Sequence, residues 1–162
     1  SMVELIISKT LNADLSKIKI KTDVSDIRKK INENASAEFH ENDPKYGSGR
    51  LKDLELLIQM GKLIERKFEF SSPLKAIRSL KEVGFLDSAQ AEICSNAYTF
   101  YFTLLQVLNI TVTSNKRDDY SRLTQEIFGN YIPIESFEDI RSMVKHYSLK
   151  IDEIFEKKLC LD

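Results

Sequence analysis

The stretch Ile93-Cys94-Ser95-Asn96-Ala97-Tyr98-Thr99-Phe100-Tyr101-Phe102-Thr103-Leu104-Leu105-Gln106-Val107-Leu108-Asn109-Ile110-Thr111-Val112-Thr113-Ser114-Asn115 decides what kind of fold this chain can have. It runs for 23 positions without a charged side chain, long enough to cross a bilayer. Ten of its residues are nevertheless polar, and Asn96, Thr99, Thr103 and Gln106 recur at helical spacing. Such a polar stripe reads as a central helix buried in a bundle rather than a membrane span. Upstream, Asp87 and Gln90 have capping-box spacing, so the helix is expected over 88–112. At 1.5 Å per residue it is about 37 Å long.

The rest of the chain reads as helix around this element. Ser72 followed by Pro73 is a helix start, and Gly84 is a C-terminal stop. A helix over about 51–67 carries Leu54, Leu57, Ile58, Gly61, Ile64 and Phe68 on one side. Gly61 in that arc predicts close approach of another helix, because glycine inside a helix is otherwise unfavourable by about 1 kcal/mol. A helix over 118–128 stops at Gly129, and Ser136 with Asp139 caps a last helix over 137–159. In that helix Ile140, Met143, Val144, Tyr147, Ile151, Ile154 and Phe155 share one face, while Arg141, Lys145, Asp152, Glu156 and Lys157 face away. Near the N-terminus a short helix is expected over 2–12. It is followed by a basic connector, in which Ile18 and Ile20 alternate as in an extended piece, and by an exposed helix over 23–38. The expected fold is all-α, a bundle of six to seven helices with one long central helix, in a single domain over 1–162.

Composition narrows the function. A net charge of −1, with basic residues interspersed among acidic ones, gives no case for nucleic acid or an acidic membrane as partner. Two cysteines, Cys94 in an apolar helical run and Cys160 in the tail, fit a reducing, cytoplasmic setting. His40 and His146 have no cysteine or acid at ligand spacing, so no metal site is expected. No nucleophile–histidine–acid arrangement is suggested either, and no catalytic residue is assigned.

The motif that carries chemistry lies at Lys45-Tyr46-Gly47-Ser48-Gly49-Arg50-Leu51-Lys52-Asp53-Leu54-Glu55. A glycine turn opens into a helix, with Lys45, Arg50 and Lys52 around it. Free backbone N–H groups there could take an anion; equally, the glycines could serve only the turn's dihedral angles. Gly47-Ser48 followed by Asp53 and Glu55 imitates the carboxylate pair that holds Mg²⁺ in nucleotidyl transfer. On a helix those two side chains point about 200° apart and cannot share an ion. Asp53 falls within the apolar arc and needs a partner. It either accepts backbone N–H groups in the first turn, or orients Lys45 or Arg50 towards a phosphate. Glu55 falls in a polar stripe with Lys52, Gln59, Lys62 and Arg66.

This segment resembles the K-x-G-x-G-G-L-x-D-I-E signature of the glutamine synthetase adenylyltransferases and their uridylyltransferase relatives. Asp43, Lys45, Gly47, Gly49, Leu51, Asp53 and Glu55 fall in register, Leu54 replaces isoleucine, and Arg50 replaces the second glycine. Gln59 and Leu63, the segment Ser72 to Asp87, and Ala97-Tyr98 with Phe100 extend the likeness over about residues 26–112. The region Thr113 to Asp119 is similar to the second, C-terminal helical domain of these proteins. Ser1 before Met2 reads as a cloning remnant, so a fragment from the C-terminus of a larger multidomain nucleotidyltransferase is expected.

The resemblance implies a parent that moves AMP from ATP to a tyrosine of glutamine synthetase, using Mg²⁺ held on a separate upstream catalytic domain. These residues would then hold no cofactor and be inactive alone. Lys45, Gly47, Gly49, Arg50, Asp53 and Glu55 would lie near the nucleotide or its phosphates. Two other expectations stand beside this one. The chain could be an interaction module that docks glutamine synthetase or a nitrogen-regulatory signalling protein through the 23–38 helix or the last helix. It could also be the equivalent domain of a uridylyltransferase.

Overall fold

The computed structural model describes residues 16–38, 43–67, 72–111, 122–132 and 137–160. Among them are six helices and no strand: α1 (Lys17–Glu38), α2 (Leu51–Glu65), α3 (Pro73–Glu82), α4 (Ser88–Thr111), α5 (Arg122–Gly129) and α6 (Phe137–Leu159). The all-α expectation holds. The 2–12 helix, His40, Phe68, the Thr113–Asp119 stretch and the Ser136 cap lie outside the described residues.

α4 is the central element, packed on α2, α3, α5 and α6, and α2 is the second hub, touching α1, α3, α4 and α6. The capping box forms reciprocally: Gln90 N–H donates to Asp87 Oδ1 at 2.8 Å, and Asp87 N–H to Gln90 Oε1 at 3.1 Å. Phe100, Tyr101, Leu104 and Leu108 are buried along one side of α4 and meet Phe128 of α5 and Ile140 and Val144 of α6. Cys94 is fully buried, and burial above all pushes its thiol pKa up to about 12. The polar stripe behaves differently from the sequence expectation. Asn96, Thr99, Gln106 and Asn109 are exposed, so α4 is central to the core yet from Ile93 onward presents an uncharged outer face to solvent.

Gly61 is explained by packing. A Cβ there would sit 2.7 Å from the Phe85 ring and 2.9 Å from Leu80 Cδ1, so α3 and its following turn lie directly on the α2 backbone. The stop after α3 falls at Gly84, with φ +80°. α2 ends at Glu65, two residues before the sequence boundary, with Arg66 in the left-handed region at φ +53°.

The N-terminal boundary is a correction. Residues 17–22 are not an extended connector but the first turns of α1. Ser16 Oγ accepts the Lys19 N–H at 3.2 Å, as a helix N-cap does. The decisive spacing is Ile20, Val24 and Arg28, a buried row at i, i+4 and i+8. Ile18, 60% exposed, belongs to the other side. The helix over 23–38 is therefore not wholly exposed: one face packs on α2 and α6.

Candidate functional site

The turn before α2 is built from its own hydrogen bonds. Asp43, buried, accepts the N–H groups of Lys45 (2.6 Å) and Tyr46 (3.1 Å) on Oδ1. Arg50 N–H donates to Gly47 C=O at 3.2 Å, Leu51 N–H to Pro44 C=O at 3.2 Å, and Lys52 N–H to Lys45 C=O at 3.0 Å. Gly49 N–H donates to Asp53 Oδ2 at 2.8 Å. The backbone donors at positions 49–52, which would otherwise be orphaned at a helix start, are thus engaged within the chain.

Gly49 is the point where three helices meet. Its C=O accepts from the Tyr101 hydroxyl of α4 at 3.2 Å, and that hydroxyl also reaches Val144 C=O of α6 at 3.3 Å. Its φ is +69°, and a Cβ would lie 1.8 Å from the carbonyl oxygen of Ser148. Both conformation and space therefore demand glycine. Gly47 has φ +111° and only the Arg50 side chain nearby, so its requirement is conformational.

Asp53 is fully buried and faces Arg28, not Lys45 or Arg50. Arg28 Nε donates to Asp53 Oδ2 at 2.8 Å, and Nη2 lies 2.6 Å from the same oxygen. The guanidinium also bonds Ser48 Oγ at 3.1 Å, pairs with Asp152 and Glu156 of α6, and lies 4.3 Å from the centre of the Phe155 ring. Burial alone works against the Arg28 charge. The hydrogen bond and charge of Asp53, followed by those of Asp152, outweigh it and raise the guanidinium pKa above its ordinary value. Asp152 and Glu156, on the outward face of the last helix as the sequence pattern has them, reach this knot from its solvent side. Arg28 was not singled out in the sequence; the Ile20–Val24–Arg28 row was the signal for it.

Arg50, at the family's second glycine, sits at the N-cap of α2 with φ −87°, a backbone open to any residue. Its Nη1 donates to Asp43 C=O at 2.7 Å, so the added charge braces the same turn.

The remaining motif residues face the other way. Lys45, Leu51 and Glu55 form one wall of a cleft of about 220 Å³. The opposite wall comes from α4: Tyr98, Phe102, Leu105, Gln106 and Asn109. Tyr98 and Phe102 stack with centroids 5.8 Å apart at 16°. Lys45 Nζ lies 4.9 Å from the Tyr46 ring centre and pairs with no carboxylate among the described residues. Glu55 holds Lys52 at 2.7 Å. Burial, then the charge of Glu55, raises the Tyr98 phenol pKa and keeps it a hydroxyl donor.

Among the described residues, no group of three His, Cys, Asp or Glu side chains is placed to hold a metal ion. Asp53 and Glu55 do not fit Mg²⁺: the first is enclosed with Arg28, the second is paired with Lys52. Nor is any described helix long and apolar enough to cross a membrane.

Fold and site together define an all-helical module locked around a glycine turn. The family model described as GlnD PII-uridylyltransferase matches residues 18–146, most of the chain, and the chain belongs to that family. The likeness read from the motif is thereby placed with the uridylyltransferase relatives, without singling out the adenylyltransferases. No curated protein matches.

Proposed function

We propose that this chain is a non-catalytic helical domain of a nitrogen-regulatory nucleotidyltransferase, and that it braces a separate catalytic domain which carries the Mg²⁺-holding carboxylates. The supporting observation is the split of the motif. Gly49 and Asp53 are consumed in holding α1, α2, α4 and α6 together, which fixes Lys45 and Glu55 at the rim of an open cleft. A lysine ammonium held there, without a carboxylate partner among the described residues, is suited to a nucleotide phosphate. In this reading the domain closes one side of the nucleotide site and does not catalyse by itself.

The motif resemblance favours ATP as donor and a tyrosine of glutamine synthetase as acceptor. A specific observation favours a second reading: the matching family is described by uridylyl transfer to PII, which makes UTP the donor and a nitrogen-regulatory signalling protein the acceptor. Label transfer from ATP and from UTP by the enzyme carrying this domain separates the two. In the same assay Lys45→Ala is expected to raise the KM for the nucleotide about tenfold or more, as loss of a charge-assisted phosphate contact does. Unchanged nucleotide dependence would remove Lys45 from the site.

A further inference from the structure

The uncharged outer face of α4 calls for an explanation beyond bracing. Exposed helix faces normally carry Lys, Glu, Arg or Asp. From Ile93 to Thr111 this one carries none. Where it meets the glycine turn it is concave, and the cleft there combines four features. Both walls contribute apolar surface, from buried Leu51 and Leu105. One wall is an aromatic stack, in which Phe102 remains 46% exposed and so keeps ring area for another flat ring. Gln106 and Asn109 are exposed, and their amides make no hydrogen bond within the described residues, leaving both donors and acceptors available. Lys45 supplies a cation at the rim.

We infer that this cleft binds the base of a nucleoside phosphate: the ring stacks on Phe102, Gln106 and Asn109 read its edge, and Lys45 meets the phosphate. The volume of about 220 Å³ lies below that of pockets enclosing a whole drug-sized ligand, so it suits a base with its sugar and phosphate outside. Stacking tolerates any base, because every base has a π-face, whereas two amides can match either a pyrimidine or a purine edge. The choice of a nucleotide over another flat anion rests on the nucleotidyltransferase reading above.

The test is an NMR titration of this chain with UMP, AMP, the matching nucleosides and inorganic tripolyphosphate. Both nucleotides should shift the Tyr98, Phe102, Gln106 and Asn109 resonances, with dissociation constants in the millimolar range. Nucleosides should shift the same residues more weakly, and tripolyphosphate should leave the aromatic pair unmoved. Phe102→Ala should weaken nucleotide binding about tenfold. Lys45→Gln should reduce nucleotide affinity to that of the nucleoside without changing the latter. Asn109→Ala, on the exposed face, provides a second reading should Phe102→Ala disturb the fold. The inference is overturned if no lining residue responds, if tripolyphosphate acts like UMP, or if the shifts map elsewhere. The two proposals fail separately. A base site in the isolated chain with unchanged transfer kinetics in the Lys45 variant sinks the bracing role alone. Altered transfer kinetics with no response in the titration sinks the base site alone.

Discussion

The two sides of the glycine turn are built on opposite principles. On the Arg28 side a cation is enclosed by Asp53, Asp152 and Glu156, capped by Phe155 and tied to Ser48. On the Lys45 side a cation stands at the edge of an open cleft, beside the Tyr46 ring and in no ion pair among the described residues. The residues of one short motif alternate between these sides, because Asp53 and Glu55 leave α2 about 200° apart. The contrast shows that a glycine-rich, lysine-bearing signature is not a single site. Its inward half is a packing device, and its outward half lines an open cleft.

The strongest way to break this division is at Gly49. Gly49→Ala forces a Cβ onto the Ser148 carbonyl and into the left-handed region, and should lower stability by about 4 kcal/mol or more, or prevent folding. A denaturant midpoint close to that of the parent chain would mean the three-helix junction is not as tight as described. Next in size is the Arg28–Asp53 pair. Arg28→Met leaves the fully buried Asp53 carboxylate uncompensated and should lose about 3–5 kcal/mol at neutral pH. Adding Asp53→Leu to Arg28→Met should recover part of the stability, and no recovery would argue against a coupled pair. The smallest effects belong to the cleft: Lys45→Ala and Phe102→Ala should stay within about 0.5 kcal/mol of the parent in stability, since both side chains are at least partly solvated.

Much of the fold was legible because its helix boundaries are written in local chemistry. The Asp87–Gln90 capping box, Pro73 after Ser72, and Gly84 each act within one turn of chain and hold in the structure. Gly61 was legible for the same reason, since a glycine in an apolar arc has few explanations other than contact. The start of α1 was not: Ile18 and Ile20 imitate a strand alternation, and the helical row that overrules it ends in a charged residue. Arg28 can be buried only because three carboxylates from other elements pair with it, and that is a tertiary fact. Asp152 and Glu156 do lie on the outer side of α6, with Glu156 61% exposed, as its helical pattern has them; what that pattern does not show is that α1 brings an arginine to them. The cleft was hidden in the uncharged stripe of α4, whose polar residues read as bundle interior but are exposed.

Hydrogen exchange at the Gly49 amide tests the two-sided turn most directly. With its N–H given to Asp53 and its carbonyl to Tyr101, the account predicts strong protection in the free chain, close to that of the α2 core, and no further change on adding nucleotide. An amide that exchanges freely until nucleotide arrives, and is protected only then, would show that the glycine turn itself is the binding element and would contradict the division between its halves.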